Sequence, residues 1–342
     1  MRRRAIAYAL LSAALFGAST PLAKIFVGSI SPLALAGLLY LGSGIGLTVW
    51  LLLRRPRMLV AVRDVPWLAG AILAGGIVGP ALLMYGLART DAASASLLLN
   101  LEAVLTAALA WVVFRENVDR RVFAGMAAIV AGGAVLAWHT PEVRSVAGPL
   151  LIAGACLAWA LDNNLTRRVS GGDALALAAL KGLVAGAANL ALAVALGAWL
   201  PAPGAIAAVG VVGLLGYGVS LVLFIMALRE LGTARTSAYF SIAPFFGAAL
   251  ALFMLGEQPA PAFWIAAVLM ASGVWLHVTE RHEHEHMHEP MAHTHEHVHD
   301  LHHRHVHAAG WDGREPHTHA HEHGRLRHRH PHYPDLHHRH GH

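Results

Sequence analysis

The residues with the clearest chemical potential are four charged side chains inside long apolar stretches: Lys24, Glu102, Asp162 and Lys181. A charge near the middle of a membrane helix costs roughly 2.5 to 3.5 kcal/mol, so it persists mainly where it is paired or lines a cavity. Glu102 lies about ten residues into its stretch and shares a helical face with Thr106, which makes it the main candidate for a group that carries protons. In the alternative, Glu102 is a static partner of Lys24 or of a backbone group.

Asp162 and Lys181 are expected to meet as a pair between adjacent helices. Asp162 projects on the same helical face as Trp159 and Thr166, and Lys181 lies on the next apolar stretch. Two roles stay open for this pair, structural pairing and direct contact with a substrate. Amide side chains in these stretches could bond a polar ligand or join helices to one another. The candidate pathway for substrate or protons comprises Glu102, Asp162, Lys181, Lys24, Asn100, Asn163 and Trp159.

A different chemistry occupies the segment from Glu280 to His342, which holds 23 of the 25 histidines of the chain. Apolar side chains are sparse there, so no packed core can offset the chain entropy and we expect disorder. In three runs every second residue is His, an arrangement that binds zinc, nickel, cobalt or copper without choosing among them. The alternative is a low-complexity tail without a selected role. The predicted metal ligands are His282, His284, His286, His288, His293, His295, His297, His299, His317, His319, His321 and His323.

The composition excludes several classes of protein. Hydrophobic residues make up 56% of the chain and charged residues only 13%, which argues against an ordinary soluble enzyme. The basic residues occur in short runs between apolar stretches, so nucleic-acid binding is disfavoured. Phosphate loops, catalytic triads and dinucleotide fingerprints are not apparent, and we predict neither an enzyme nor a required cofactor. Cys156 is the single cysteine, so an intramolecular disulfide is impossible.

The apolar stretches predict ten membrane spans, because a bilayer core needs roughly 20 apolar residues per helix. The basic start of the chain resembles a secretory signal, but nine further spans argue that the first one is an uncleaved helix. The predicted spans are 5–27, 32–53, 66–88, 92–114, 120–138, 146–166, 173–198, 205–228, 233–255 and 260–278.

The distribution of arginines predicts how the spans are oriented. With the N-terminus inside, 14 arginines fall on the cytoplasmic side, and only Arg89 and Arg144 fall on the other. Lys and Arg are biased toward cytoplasmic loops, so this asymmetry places both termini in the cytoplasm. The spans are therefore expected to lie in the lipid bilayer, and we expect a multi-pass protein of the bacterial inner membrane.

The chain also contains an internal repeat. Sliding the sequence against itself by 141 residues pairs residues 87–133 with residues 228–274, and Glu116 then falls on Glu257. Each half has five spans, an odd number, so the second copy must enter the membrane from the opposite side, as in inverted-repeat transporters. We predict an all-α integral membrane protein with ten transmembrane helices in two inverted five-helix repeats, residues 1–140 and 141–279, followed by a disordered cytoplasmic tail, residues 280–342.

Three segments resemble the EamA type of the drug/metabolite transporter superfamily: FGASTPLAK at 16–24, SASLLLNLEAVLTAALAWVVFREN at 94–117 and TSAYFSIAPFFGAALALFMLGE at 236–257. The resemblance extends over about residues 1–278. It implies a secondary active transporter that moves a small metabolite or drug-like solute across the bacterial inner membrane by alternating access, in the direction of export. The family usually has Pro after the Glu of the fourth span, where this chain has Ala103.

Two further hypotheses give the histidine tail the central role. In one, the protein exports a divalent metal such as nickel, cobalt or zinc, and the tail collects ions at the cytoplasmic mouth. In the other, the helices only anchor a metal buffer or sensor that transports nothing. Pairs of glycines at the spacing that lets membrane helices approach closely also make a homodimer conceivable. These glycines are Gly42 with Gly46 and Gly182 with Gly186.

Overall fold

A computed structural model describes residues 2–54, 64–114, 120–138, 146–169, 173–231, 236 and 239–279, and four short segments of the tail, 283–288, 291–297, 317–323 and 326–331. The chain divides into two compact units, Met1–Glu280 and Arg281–His342. The described part of the first unit is built from helices. They are α1 (Arg2–Lys24), α2 (Pro32–Arg54), α3 (Val65–Ala71, Ile72–Val78 and Gly79–Leu87), α4 (Ala92–Leu98 and Leu101–Phe114), α5 (Arg120–Trp138), α6 (Ala147–Val169), α7 (Ala174–Ala195), α8 (Pro203–Gly213, Leu214–Val219 and Ser220–Leu231), α9 (Ala243–Leu255) and α10 (Pro261–Val278).

Each of the ten predicted spans corresponds to one of these helices. Within the described residues, seven helical segments are long and apolar enough to cross a membrane, and they belong to α1, α2, α3, α4, α5, α7 and α8. α9 and α10 contain shorter apolar helices, and α6 has 23 residues. The protein is therefore a multi-pass membrane protein. The largest difference in bounds concerns the ninth span, because the long regular helix there begins only at Ala243, after a turn at Ser241 and Ile242.

Local sequence signals explain where several helices begin and end. Asp91 caps α4, because its carboxylate accepts a hydrogen bond of 2.7 Å from the backbone N–H of Ser94. Asp173 caps α7 in the same way. Pro32 is the first residue of α2, where its missing N–H and fixed φ are tolerated. Gly256 ends α9 with φ of 64°, a left-handed conformation that glycine adopts at little cost.

The helix packing has the two-fold pattern that inverted repeats require. α2 packs on α7, α4 on α9 and α5 on α10, and each of these pairs joins helices that the 141-residue shift superimposes. α1 packs on α8 and α9, whereas α6 packs on α3 and α4, so the shift exchanges these two sets of contacts. The packing confirms the predicted fold of two inverted five-helix repeats, which form one compact unit.

The glycine pairs that suggested a homodimer are used inside the chain. A Cβ on Gly42 would overlap the carbonyl oxygen of Gly210, so α2 and α8 touch through their backbones. A Cβ on Gly182 would lie 2.7 Å from the Cα of Gly44, so α7 and α2 approach equally closely. These contacts explain the small residues by packing between the repeats. The glycine spacing therefore gives no separate support to a dimer.

Four short strands are described within the tail, the segment for which the composition predicts disorder. Its strands are β1 (Glu283–His288), β2 (Met291–His297), β3 (His317–His323) and β4 (Leu326–Pro331). β1 pairs with β4 and β2 with β3, both antiparallel. The alternation of His with other residues has the period of an extended strand, which is compatible with this pairing. Each sheet has only two strands.

Candidate functional site

Two π-helical segments interrupt the long helices, and they occupy equivalent places in the two repeats. The first is Ile72–Val78 in α3, and the second is Leu214–Val219 in α8. The 141-residue shift moves the first segment onto residues 213–219, so the two coincide almost completely. A π-helical turn loosens the regular backbone bonding and is frequent at functional sites. The candidate functional site surrounds these segments.

Side chains from three neighbouring helices donate to the carbonyl groups of the first π-helical segment. The hydroxyl of Tyr40 and the indole N–H of Trp159 both donate to the carbonyl oxygen of Gly75, each at 2.9 Å. The amide of Asn189 donates to the next two carbonyl oxygens, of Gly76 and Ile77, at 3.3 Å each. These bonds join α2, α6 and α7 to α3. Sequence reasoning identified Trp159 but not Tyr40, for which a hydroxyl inside an apolar span was the only signal.

The expected ion pair between Asp162 and Lys181 is present beside this segment. Lys181 Nζ contacts Asp162 Oδ2, and Thr166 donates to the other carboxylate oxygen at 2.9 Å. The side chains of Asp162 and Lys181 are 7% and 19% exposed, so the pair is largely withdrawn from solvent. A Cβ on Gly75 would overlap the carboxylate, which shows how closely Asp162 lies against α3.

Glu102 has a different partner from the one considered in the sequence analysis. The amide of Asn163 donates to Glu102 Oε1 at 2.9 Å. Lys24 lies elsewhere and donates to the carbonyl oxygens of Leu87 and Thr90. Static pairing of Glu102 with Lys24 is therefore wrong, because both donor bonds of Lys24 go to backbone groups near the end of α3. The carboxyl group of Glu102 therefore accepts its hydrogen bond from a neutral amide and not from a cation.

Glu102 lies immediately after a break in α4. Leu99 and Asn100 form a turn between the two parts of the helix, and the amide of Asn100 donates to the carbonyl oxygen of Leu97 at 2.9 Å. The turn at Ser241 and Ile242 before α9 is nearly equivalent in the second repeat. The first repeat thus breaks its helix without the proline that the family usually has after this Glu. Broken helices facing one another are typical of transporter sites near the bilayer midplane.

Aromatic rings from both repeats meet next to these polar groups. The ring of Phe16 lies 5.9 Å from that of Tyr217 and 6.4 Å from that of Trp159, between centroids. Tyr40 approaches Tyr217 at 5.3 Å, and Phe240 approaches Phe16 at 5.4 Å. Tyr217 itself belongs to the second π-helical segment. The rings therefore form an apolar surface where the two repeats meet.

The structure brings together most of the predicted pathway residues. Trp159, Asp162 and Lys181 surround the π-helical segment of α3, and Asn163 joins Glu102 to α6. Asn100 forms the break of α4, two residues before Glu102. Lys24 lies apart, at the end of the bundle that carries the α1–α2, α3–α4 and α9–α10 connections, which we call the α4 N-terminal end.

Metal binding by the histidines of the tail stays a prediction. His282 and His299 lie outside the described residues, and for the others the structure gives the backbone only. The register of β2 and β3 places three His pairs opposite each other, with His295 on His319 in the middle. The described part of the chain contains no group of three or more His, Cys, Asp or Glu side chains that could hold a metal ion.

The fold and the site together define the class of protein: a membrane protein of two inverted repeats, with interrupted helices around a polar and aromatic cluster. A family model, the EamA-like transporter family, matches residues 3–138 and again residues 146–279. The chain belongs to this family of transporters.

Two comparisons with individual proteins agree. An uncharacterized transporter of Methanothermobacter thermautotrophicus is 29% identical over 285 residues, which cover 76% of this chain and 82% of that protein. A crystal structure of another protein covers 79% of this chain and 95% of its own, with a TM-score of 0.60 and 19% identity. The structural likeness supports the fold alone, and the family match supports transport of small solutes across a membrane.

Proposed function

We propose that this protein is a secondary active transporter, not an enzyme, that exports a small metabolite or drug-like solute across the bacterial inner membrane by alternating access. The observation that carries the proposal is the equivalent placement of the two π-helical segments around a cluster built by both repeats. Inverted repeats can adopt two near-equivalent packings that open to opposite faces. A solute held between them would therefore be exposed to each face in turn.

The lining of the cluster supports a solute with an apolar body and polar groups. The rings of Phe16, Tyr40 and Tyr217 offer an apolar surface. Asp162 and Lys181 offer a carboxylate and an ammonium beside the first π-helical segment, and their pair must open before either can bind a ligand. A bonded pair that exchanges partners costs less than an unpaired charge held inside the bundle.

Glu102 is the proposed carrier of the coupling proton. It is bonded by the neutral amide of Asn163, so its carboxyl can take up or release a proton without breaking an ion pair. It also follows the break in α4, where a change in backbone conformation can move it between the two faces. Protonation would then alternate with binding of the solute.

The test combines a search for the solute with a pH profile. Purified protein is screened by thermal shift against metabolites, amphiphilic toxins and divalent metals, and hits are assayed for transport in proteoliposomes with an imposed pH gradient. Glu102→Gln should transport slowly and without dependence on the gradient, whereas Glu102→Asp, which keeps a titratable group, should retain the dependence. Unchanged pH dependence in Glu102→Gln would exclude the proton-carrier role.

The orientation with both termini in the cytoplasm is part of the proposal. It is supported by the arginines, which favour the cytoplasmic side by 14 to 2. In this orientation the tail extends into the cytoplasm, where it can collect transition-metal ions. Binding of zinc, nickel, cobalt or copper by the tail is the second proposal, supported by the three alternating His runs.

Removal of the tail separates the competing functions. If the protein transports an organic solute, deletion of Arg281–His342 leaves transport intact. If the cargo is a divalent metal that the tail collects, deletion changes the dependence of transport on metal concentration. If the protein only anchors a metal buffer or sensor, deletion abolishes its function entirely. Growth of a strain lacking the protein, on a panel of metals and toxins, gives the matching phenotype.

A further inference from the structure

Lys24 ties the end of α1 to the loop between α3 and α4. Its ammonium donates to the carbonyl oxygen of Leu87 at 2.6 Å and to that of Thr90 at 2.7 Å. Leu87 is the last residue of α3, so one of these bonds satisfies a carbonyl that the helix itself leaves without a partner. A cation at a helix C-terminus also interacts favourably with the helix dipole. These bonds hold three helices of the first repeat together at one end of the bundle.

Glu257 ties the second repeat to the same end. Its carboxylate oxygens accept from the backbone N–H groups of Ala92 and Ala93, each at 2.8 Å. These are the first two residues of α4, whose N–H groups have no partner within the helix. Glu257 directly follows Gly256, the left-handed residue that ends α9. The two bonds thus join the end of α9 to the beginning of α4, across the boundary between the repeats.

We propose that Lys24 and Glu257 form a clasp that keeps the α4 N-terminal end of the bundle closed, and that its release opens the solute site toward this end. The inference rests on the proposed alternating access. The hydrogen bonds of Lys24 and Glu257 go to residues 87, 90, 92 and 93, outside both π-helical segments, so the clasp acts on the conformation of the protein and not on the solute. Their role is to position α1, α4 and α9.

The packing behind the clasp shows what its release would uncover. Ser96 lies one turn beyond Ala92 in α4 and is 1% exposed. A Cβ on Gly247 of α9 would lie 3.0 Å from its hydroxyl oxygen, so α4 and α9 touch directly below the clasp. α1 packs on α9 in the same region, where a Cβ on Gly247 would also meet the carbonyl oxygen of Gly17. Separation of these helices requires the bonds of Glu257 to break first.

The repeat makes the clasp asymmetric. The 141-residue shift pairs Glu257 with Glu116, but it pairs Lys24 with Leu165. The equivalent position in the second repeat therefore has no side chain that could donate to carbonyl groups. This difference favours closure at the end that has the lysine. It also gives a role to the charge of Lys24, which lies away from the other pathway residues.

The test measures access to a thiol behind the clasp. In a Cys156→Ala background, Ser96→Cys provides a single buried reporter, and its reaction with a hydrophilic maleimide is followed in nanodiscs. We expect Glu257→Gln and Lys24→Met each to raise the rate of modification about tenfold or more, because each loses at least one hydrogen bond to a charged group. Arg89→Gln is the matched control. It removes a cation from the same end, but the Arg89 guanidinium is exposed and donates to the carbonyl oxygen of Tyr85, one turn earlier along the chain. This bond joins no two helices, so the rate should stay at the parental value.

Two results would overturn the clasp: parental rates in both clasp variants, or an equal rise in the control. If Glu257→Gln fails to fold, Glu257→Asp shortens the side chain by one carbon with its charge kept, and it should raise the rate as well. Spin labels at Ser29 and Gln258, both exposed at this end, give a second readout, and their distance distribution should broaden in the clasp variants. Neither measurement needs a solute. A faster modification rate without any transport would therefore support the clasp while refuting the proposed function.

Discussion

The ion pair of Asp162 and Lys181 gives a quantitative prediction about stability. Lys181→Met removes the ammonium but keeps an unbranched side chain, and it leaves a carboxylate that is 7% exposed with Thr166 as its donor. Removal of one partner from a buried pair costs about 3 to 5 kcal/mol. Asp162→Asn should cost less, roughly 1 to 2 kcal/mol, because Lys181 is more exposed and its long side chain can reach toward water.

The double variant completes the cycle. Asp162→Asn with Lys181→Met removes both charges, and such replacements of a buried pair are often nearly neutral, so we expect a loss of about 1 kcal/mol. The coupling energy is then at least about 3 kcal/mol, measured from denaturant unfolding of the detergent-solubilised protein by tryptophan fluorescence. Additivity of the two single variants within about 0.5 kcal/mol would refute the view that these charges compensate each other.

Three further predictions concern other parts of the molecule. Glu102→Gln should abolish the response of transport to a pH gradient in proteoliposomes, while Glu102→Asp retains it. Gly42→Ala should lower the stability by about 1 to 3 kcal/mol, because its added carbon overlaps the backbone of Gly210. Gly204→Ala meets no atom within 4 Å and should change the stability by less than about 1 kcal/mol in the same assay. Truncation after Glu280 should leave the thermal unfolding of the helical unit unchanged, because the tail is a separate unit, and should abolish metal binding measured by calorimetry.

The sequence predicted the architecture because the bilayer imposes strong constraints on it. The length of the apolar stretches, the short loops between them and the 141-residue repeat were sufficient for ten helices in two inverted sets. The pairing of Asp162 with Lys181 was also predictable, because two opposite charges on adjacent apolar helices have few other ways to avoid their desolvation cost.

Other parts of the site could not be predicted, because they depend on how distant helices meet. The π-helical segments depend on how α3 and α8 pack, which the local sequence does not reveal. The choice of Asn163 as the partner of Glu102 depends on the orientation of α6 against α4. The bonds of Glu257 join residues 164 and 165 positions apart, so the alignment of Glu116 with Glu257 marked an important residue without revealing its partner.

The inverted relation of the two repeats is the central claim, and labelling from one side of the membrane tests it most directly. Ser29 lies in the connection after α1, and Ser170 is its counterpart under the 141-residue shift. Each is replaced by Cys in a Cys156→Ala background, and intact cells are treated with a thiol reagent that cannot cross the membrane. The account predicts that one of the two cysteines reacts at once and the other only after permeabilisation. Reaction of both from the same side would contradict it.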